Sequence, residues 1–302
     1  MSVAFLPYGQ PDRHFLRLAS LSCDDVEWPL KDRPDGRRLC DLGPQDHVLV
    51  VASSRTLTMR RNDLRCQVSI LMAEPPAIQK RLYTAVGLLA GRFRYVLTHN
   101  TGLLCRLSNA RFVAHGGSML DAVEQPVIEK TKRISLIASN KRDTSGQRLR
   151  HNIVLWAAQN APDLEALGRG YQPLVDKSDG HGPYIASVVI ENSREPGYFT
   201  EKLIDSFLCR SVPIYWGAPD IEHFFDTRGM ICCATSEEVQ QAVQQFSAED
   251  YAARQTFLEQ NRILAMQYLD FFGRAARCLQ DVEGGFSSSR ELPQFVSSVR
   301  AA

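Results

Sequence analysis

The stretch SVVIENSREPGYFTEKLIDSFLCRSVPIYWGAPD, residues 187–220, carries the clearest structural pattern in the chain. The apolar run 186–190 predicts a strand, and the polar loop after it leads into an amphipathic helix at 200–209. The apolar run 212–216, closed by Gly217, predicts a second strand. Strands that alternate with helices in this way are typical of βαβ units, in which the strands lie parallel. The stretch therefore predicts one unit of a parallel α/β sheet.

The rest of the chain shows the same alternation. Short apolar runs predict strands, and segments in which apolar residues recur with helical spacing lie between them. In the first half the predicted strands are 47–52, 67–72, 94–97 and 112–114, with a helix at 75–89. In the second half a strand at 133–138 precedes a helix at 148–159, and a long amphipathic segment covers 247–272. We therefore expect an α/β protein with mostly parallel strands.

The domain organisation follows from length and local composition. A chain of 302 residues with 44% hydrophobic residues fits two domains, each with a buried core. The charged, proline-containing segment 123–132 separates two strand-like runs, which is typical of a linker. We accordingly assign residues 1–125 to an N-terminal domain, 126–275 to a C-terminal domain and 276–302 to a C-terminal tail. Phe271 and Phe272 are expected in a core, or in a seam by which the final helix returns to the first domain.

Composition excludes several classes of protein. The 35 lysines and arginines nearly balance 34 acidic residues, and a net charge of +1 gives no general attraction to nucleic acid. No apolar stretch approaches the roughly 20 residues of a membrane span, and the N-terminus lacks the basic region of a signal peptide. The eight cysteines contain no CxxC pair, which disfavours a metal centre or a disulfide framework. These features predict a soluble, non-secreted protein of a reducing cytoplasm.

Polar residues concentrate in NSREPGYFTEK, residues 192–202, directly after a predicted buried strand. In open α/β sheets, ligands bind beyond the carboxyl ends of strands and at the N-termini of the following helices. Thr200 is expected as the N-cap, and the free N–H groups after it favour an anion. Lys202 is disfavoured there by roughly a few tenths of a kcal/mol unless a phosphate intervenes, and Glu201 can accept hydrogen bonds from a vicinal diol such as ribose. The spacing equally allows both to be ordinary solvated residues of a first turn.

A second polar cluster, SNKRDTSGQRLRH, covers residues 139–151 and follows a predicted strand. Lys141, Arg142, Arg148 and Arg150 supply four cations within ten residues. One arginine here can hold a diphosphate through two parallel hydrogen bonds. The glycine patterns of a Walker loop and of a dinucleotide-binding turn are absent. Composition alone favours a solvated basic loop over an anion site.

Residues 187–220 resemble the donor-binding motif of the α-1,3-fucosyltransferase family, glycosyltransferase family 10. At this place the family carries approximately FENS, YVTEKL and PVYWG, where this chain has IENS, YFTEKL and PIYWG. The upstream segments ISLIASNK and RLRH resemble the family as well, and N-terminal similarity is confined to MAEPPA and FRYVLTHN. The resemblance implies a GT-B fold, in which two Rossmann-like domains face each other across a cleft and the C-terminal domain holds GDP-β-L-fucose.

The same resemblance implies roles for individual residues. Four of them would contact the nucleotide: Asn192, Tyr198, Glu201 and Lys202. Glu201 would lie on the ribose and Lys202 on the diphosphate, in agreement with the roles that their position allows. Arg148 stands where the family keeps a diphosphate-binding arginine. Arg150 is the alternative, because the RLR spacing leaves the register uncertain by two residues.

The resemblance also implies transfer without a metal ion or other cofactor, and the sequence contains no DxD triplet that would clamp one. The charge on the departing GDP would then be neutralised by Lys202, by Arg148 or Arg150, and by helix N–H groups.

Inversion at the transferred carbon requires a base within hydrogen-bond reach of the acceptor hydroxyl, across the cleft from the donor. Glu74 is the candidate, because it follows the predicted strand 67–72 and its MAEPP segment resembles the acidic acceptor-side motif of the family. The competing interpretation is a glutamate that only favours a helix N-terminus. His99, at the end of another predicted strand, is an alternative base, although a structural role suits it better.

The implied activity is that of an inverting glycosyltransferase that moves L-fucose from GDP-β-L-fucose to a hydroxyl of an oligosaccharide or glycolipid. Eukaryotic family members carry a membrane anchor that this sequence lacks. We therefore expect a bacterial-type cytoplasmic enzyme, peripheral to the inner membrane at most, in the synthesis of lipopolysaccharide or another surface glycan. Two alternatives stay open: a GT-B glycosyltransferase with another nucleotide-sugar donor, and a non-catalytic nucleotide-sugar-binding protein.

Overall fold

The computed structural model describes residues 1–7, 18–121 and 128–284. The chain forms two units, one of Met1–Ala114 with the helix that begins at Phe271, the other of His115–Asp270. The predicted boundary between residues 125 and 126 lies outside the described residues, and residues 115–121 belong to the second unit. In the described ranges, no helix combines the length and the apolar character that crossing a bilayer requires.

The first unit is built on a parallel sheet. Its elements before residue 115 are β1 (Val3–Leu6), β2 (His47–Val51), α1 (Ser54–Thr58), β3 (Gln67–Leu71), α2 (Pro76–Leu89), β4 (Val96–Thr98), α3 (Thr101–Arg106) and β5 (Ala110–Phe112). The strands are ordered β1-β2-β3-β4-β5. Every residue of β2 is buried, because a parallel sheet is covered on both faces. The predicted strands at 47–52, 67–72 and 94–97 are confirmed, whereas the one predicted at 112–114 begins earlier, at Ala110.

The second unit has its own parallel sheet. Its elements are β6 (Lys132–Ile137), α4 (Ser145–Asn160), β7 (Leu164–Leu167), β8 (Tyr184–Ile190), α5 (Glu201–Leu208), β9 (Val212–Trp216), β10 (Ile231–Cys232), α6 (Ser236–Gln245) and α7 (Ala248–Met266). The strands are ordered β10-β9-β8-β6-β7. The strand–loop–helix–strand unit predicted from residues 187–220 is confirmed as β8, α5 and β9.

The strand order of the second sheet creates a crevice. β6 pairs with β7 on one side and with β8 on the other. The chain therefore leaves β6 in one direction, forms β7, and returns on the opposite side as β8. At such a reversal the loops after two neighbouring strands diverge, and ligands bind between them. The carboxyl ends of β6 and β8 are thus the expected place for a ligand.

The last helix, α8 (Phe271–Glu283), belongs to the first unit. The ring of Phe272 stacks on Phe5 of β1 with 4.1 Å between centroids, and Ala276 and Leu279 are fully buried in the same apolar cluster. The prediction of a tail from residue 276 is therefore wrong for residues 276–283, where apolar side chains recur with helical spacing. Residues 285–302 lie outside the described ranges. The expected packing of the two phenylalanines at the start of this helix is confirmed.

Candidate functional site

A pocket of about 650 Å³ opens at the carboxyl ends of β6 and β8. Ala138 and Ser139, which follow β6, line one side, and Ile190 and Asn192, at the end of β8, line the other. All of the described residues that line it belong to the second unit. Its position is the one that the strand order predicts, and its size suits a small molecule, since such sites span roughly 300–1,000 Å³.

The N-terminus of α5 borders the same pocket. Thr200 is the N-cap, as predicted, and its hydroxyl accepts a hydrogen bond from the backbone nitrogen of Lys202 at 3.4 Å. The side chains of Glu201, Lys202 and Asp205 line the pocket. Free N–H groups and the helix dipole favour an anion at such an end. The helix therefore contributes positive potential to the site.

The ammonium group of Lys202 lies among oxygen atoms. Its Nζ donates hydrogen bonds to Oε1 of Glu201 at 2.7 Å and to the hydroxyl of Thr200 at 3.0 Å, and lies 3.8 Å from Oε2 of Glu191. Burial alone would lower the pKa of Lys202, but the two carboxylates outweigh it and raise that pKa. Burial likewise opposes ionisation of Glu201, yet Lys202 lowers the pKa of Glu201 to about 2. Both side chains are therefore charged at neutral pH.

Glu191, directly after β8, supports this arrangement from a fully buried position. Its carboxylate accepts hydrogen bonds from the backbone nitrogen of Thr200 at 2.8 Å and from the Thr200 hydroxyl at 2.7 Å. Burial raises the pKa of Glu191, and the neighbouring Lys202 ammonium opposes that effect. Glu191 stands in the IENS segment but was not among the predicted site residues.

The structure brings only one of the two candidate arginines to the pocket. The buried guanidinium of Arg150 donates hydrogen bonds to the backbone oxygen of Ile190, from Nε at 2.8 Å, and to Oδ1 of Asn192 at 3.1 Å. Arg148 is exposed, and its Nη1 donates to two backbone oxygens of the loop before α4. Positions two apart on a helix point roughly 200° apart, so both cannot face the same side.

A close contact between α4 and the end of β8 places Arg150. The backbone nitrogen of Gly146 donates to the oxygen of Asn192 at 3.2 Å, and a Cβ atom on Gly146 would collide with the carbonyl oxygen of Glu191. Glycine thus permits the first turn of α4 to lie against the backbone after β8, and Arg150 follows one turn later. Burial lowers the pKa of Arg150, while the carboxylates of Glu191 and Glu201 act to raise it.

Four charged residues that line the pocket were not predicted: Arg169, Asp176, Lys177 and Asp205. Asp205 lies one turn after Glu201 on α5 and accepts a hydrogen bond from the Ser118 hydroxyl at 2.7 Å. Burial raises the pKa of Asp205 to about 7 in spite of that bond. The spacing of four residues from Glu201 is a signal that could have identified it. Lys177 also lines the pocket, but it lies in an irregular loop where no periodicity marks it.

The described lining of the pocket carries an excess of positive charge. Its cationic side chains are Lys141, Arg150, Arg169, Lys177 and Lys202, and its acidic ones are Asp176, Glu201 and Asp205. Burial lowers the pKa of the lining residue His181 to about 3, so this ring is neutral. Over the described ranges, no group of three or more His, Cys, Asp or Glu side chains is placed to hold a metal ion. The pocket suits a ligand with more than one negative charge.

Three other candidate residues lie outside this pocket. Tyr198 is buried, and its ring packs edge-on against His115 with 5.7 Å between centroids. Glu74 lies in the first unit, three residues after β3, where its backbone oxygen accepts a hydrogen bond from the Tyr83 hydroxyl at 2.9 Å. His99, directly after β4, is buried. The roles suggested for these three residues remain predictions.

Sequence comparison finds one local similarity. No protein-family model matches the chain. The α-(1,3)-fucosyltransferase FucT of Helicobacter pylori is 32% identical to it over 56 residues. This match covers 18% of the chain and 12% of that relative. The chain is thus similar to a small part of a known fucosyltransferase.

Solved structures match the chain over most of its length. HepE of Anabaena, in complex with UDP, has a TM-score of 0.55 at 13% identity, covering 80% of this chain and 79% of that one. An α,α-trehalose 6-phosphate synthase of Burkholderia multivorans has a TM-score of 0.56 at 10% identity, covering 82% and 74%. An α1,3-fucosyltransferase with GDP has a TM-score of 0.46 at 13% identity, covering 82% and 79%. The first two establish the fold, which is GT-B with one α/β unit in each half, as the resemblance implied.

Proposed function

We propose that this protein is a glycosyltransferase that moves L-fucose from GDP-β-L-fucose to a hydroxyl group of a glycan acceptor, with inversion at the transferred carbon. The observation that carries the proposal is the joint placement of Glu201, Lys202 and Arg150 at one pocket beside the N-terminus of α5. A diphosphate needs cations and N–H donors, and a ribose needs a hydrogen-bond acceptor. These three side chains and the helix end provide both within one site.

The diphosphate of the donor would bind between α5 and α4. Lys202 offers a charged ammonium, and the free N–H groups of α5 add donors. Arg150 donates to the protein through Nε and Nη2, and in the part of the chain that the structure describes its Nη1 makes no hydrogen bond. Nη1 therefore remains for a phosphate oxygen. Binding a diphosphate here would separate Lys202 from Glu201 and leave the Glu201 carboxylate to the ribose hydroxyls.

The same cations would assist the chemical step. The acceptor oxygen forms a bond to the anomeric carbon of fucose as the bond from that carbon to the β-phosphate oxygen breaks, and the electron pair of the broken bond stays on GDP. Negative charge therefore grows on the diphosphate, where Lys202 and Arg150 are already fixed, and groups fixed in advance stabilise a transition state effectively. We propose that these groups suffice without a metal ion.

Glu74 is our proposed base for the acceptor proton. Its support is the MAEPP resemblance and its place beyond the carboxyl end of β3, the edge of an open α/β sheet where functional groups gather. For the acceptor we propose a surface glycan such as lipopolysaccharide, assembled on the cytoplasmic side of the membrane. The family resemblance alone supports this choice.

The choice of fucose rests on the IENS and YFTEKL segments and on the local similarity to the H. pylori enzyme. HepE, which has the same fold, is bound to UDP, so a UDP-sugar is the alternative donor. Isothermal titration with GDP, UDP and ADP separates these donors. Assays of GDP release from GDP-fucose with a panel of glycan acceptors then test transfer.

We expect binding of GDP in preference to UDP and ADP, and binding weaker by roughly 10- to 100-fold in Lys202→Ala, because a hydrogen-bonded charge is lost. Preference for UDP would mean that the donor is a UDP-sugar and not GDP-fucose. If the protein binds GDP but releases no GDP from GDP-fucose with any acceptor in the panel, it would be a non-catalytic nucleotide-sugar-binding protein. Equal GDP affinity in the parent and in Lys202→Ala would refute the site itself.

A further inference from the structure

A second pocket, of about 760 Å³, lies in the first unit at the amino edge of its sheet. Part of its lining comes from the residues that precede or begin three adjacent strands: Cys66 and Gln67 at β3, Phe93 and Arg94 before β4, and Ser108 and Asn109 before β5. Since the strands are parallel, this edge is opposite to the one beyond which Glu74 lies. The pocket is therefore separate from every group to which the proposed transfer assigns a role.

This arginine pocket is strongly positive. Arg61, Arg92, Arg94 and Arg106 line it, and none of its described lining residues is acidic. Arg94 is paired with Glu283, whose Oε1 lies 2.8 Å from Nε of Arg94. In the described ranges, the other three arginines have no carboxylate partner. Their charge is thus uncompensated by the part of the protein that the structure describes.

Arg61 lines the pocket and is held there by two contacts. Its guanidinium lies over the ring of Phe93, 4.3 Å from the centroid, and its Nη1 donates a hydrogen bond to the backbone oxygen of Arg92. The Nε and Nη2 atoms of Arg61 are buried and make no hydrogen bond to the described residues. Burial and the neighbouring Arg92 lower the pKa of Arg61 to about 10. A buried guanidinium with unused donors is costly unless an acceptor reaches it.

Arg106, the last residue of α3, also lines the pocket. A Cβ atom on Gly87 of α2 would lie 2.5 Å from an Nη atom of Arg106, so the glycine leaves the room in which this guanidinium lies. Glycine inside a helix is otherwise unfavourable. The side chain of Arg106 is exposed, and it can therefore meet a ligand without rearrangement of a core.

We propose that the arginine pocket is a second binding site, which takes a phosphate ester or diphosphate group. Guanidinium groups bind phosphate oxygens through paired hydrogen bonds, and three uncompensated cations suit an anion of charge −2 or more better than a single carboxylate. The volume leaves space for the remainder of a phosphorylated small molecule or for a lipid headgroup. The site does not depend on the proposed transferase activity, because it uses other residues in the other unit.

Inorganic pyrophosphate is the probe for this site. Isothermal titration is carried out on the full chain carrying Lys202→Ala, which weakens anion binding in the pocket beside α5. We expect one pyrophosphate per chain, with binding weaker by roughly tenfold or more when Arg106→Ala is added, since a charge-assisted hydrogen bond to phosphate is lost. Arg61→Lys keeps the charge but loses the planar fork, and it should also weaken binding. Arg81→Ala, an exposed arginine of α2 outside the pocket, is the matched control and should change nothing.

Vesicles distinguish a soluble phosphate from a lipid phosphate. Sedimentation with phosphatidylcholine vesicles, with and without phosphatidic acid, is measured for the same variants. If the protein binds pyrophosphate and Arg106→Ala weakens that binding, the ligand is a soluble phosphate. If the protein binds only vesicles with phosphatidic acid and Arg106→Ala weakens that binding, the ligand is a lipid headgroup. The proposal is overturned if neither probe binds, or if Arg106→Ala binds as tightly as the Arg81→Ala control. Because Arg106 is exposed, loss of folding is not expected to obscure the result, and thermal unfolding of each variant checks this.

Discussion

The carboxylate of Glu191 holds Thr200 by two hydrogen bonds, one from the Thr200 backbone nitrogen at 2.8 Å and one from its hydroxyl at 2.7 Å. Because Thr200 caps α5, this contact determines where the free N–H groups of the helix lie. The Thr200 hydroxyl also accepts a hydrogen bond from Nζ of Lys202 at 3.0 Å. Glu191 is therefore a positioning residue for the cation that would bind the diphosphate.

Glu191→Gln tests this relationship. The amide keeps the size of the side chain but removes a negative charge that raises the pKa of Lys202. We expect GDP binding to weaken by about tenfold, and its loss with rising pH to begin at lower pH than in the parent, because Lys202 gives up its proton more easily. Titration calorimetry from about pH 7 to about pH 10 measures both effects. Glu237→Gln, at an exposed position of α6, is the control; weaker binding with an unmoved pH profile would leave Glu191 a purely structural role.

We expect opposite effects on GDP binding from substitutions at the two arginines of α4. Arg150 faces the pocket, so Arg150→Lys should weaken GDP binding by roughly tenfold through loss of its planar hydrogen-bonding group. Arg148 is exposed and lies outside the described lining of the pocket, so Arg148→Ala should leave GDP affinity unchanged. Calorimetry on both variants gives a direct comparison. If only Arg148→Ala lost GDP binding, Arg148 would be the diphosphate-binding arginine, as the family resemblance first suggested.

These arginines also show which features of the site can be predicted from the sequence. The alternation of apolar runs with helical segments predicted both sheets, because burial on two faces produces continuous apolar strands. It also placed Glu201 and Lys202 at a helix N-terminus, where they are found. The register that separates Arg148 from Arg150 depends on where α4 begins, and that depends on the contact of Gly146 with residues after β8. Such a contact joins distant parts of the chain and leaves no local pattern.

The same limit applies to the hydrogen-bond partner of Asp205 and to the placement of α8. Asp205 accepts its hydrogen bond from Ser118, 87 positions away, and no spacing rule predicts that pairing. The apolar face of α8 indicates that the helix is buried, but it does not identify the sheet that buries it. Packing on Phe5 and its neighbours decides that α8 belongs to the first unit.

Asp205 predicts a pH dependence of stability. Burial raises the pKa of Asp205 from 3.8 to about 7. Between about pH 4 and pH 7 the unfolded chain loses this proton and the folded chain keeps it, so the free energy of unfolding falls as pH rises. We expect Asp205→Asn, which cannot ionise, to remove roughly 2 to 4 kcal/mol of that fall. Urea unfolding of parent and variant across this range measures the difference, and parallel curves would contradict it.

Metal dependence gives a separate test of the proposed chemistry. If Lys202 and Arg150 neutralise the charge that grows on GDP, an excess of EDTA should leave the rate of GDP release unchanged within about twofold. Enzyme treated with EDTA is assayed before and after addition of Mg²⁺ or Mn²⁺. A rate that collapses with EDTA and recovers with either ion would show that a metal shares this task.

Glu74→Gln separates binding from catalysis. A general base acts only as the acceptor hydroxyl loses its proton, so its loss should lower kcat by on the order of 10²-fold or more and leave GDP affinity unchanged. The side chain keeps nearly the same size, and the hydrogen bond from the Tyr83 hydroxyl goes to the backbone oxygen of Glu74, so the fold should tolerate the change. Single-turnover GDP release and calorimetry measure the two quantities on the same samples.

The pH profile of this variant identifies the base. If Glu74 takes the proton, kcat/KM of the parent should rise with pH as one carboxyl group ionises, and that limb should vanish in Glu74→Gln. Glu27→Gln, at an exposed position of the same unit, should keep the limb and serves as control. A limb that survives in Glu74→Gln but disappears in His99→Asn would move the role to the imidazole at the end of β4. Weaker GDP binding in Glu74→Gln, with kcat preserved, would assign this glutamate to the donor and leave the base to be found among other groups.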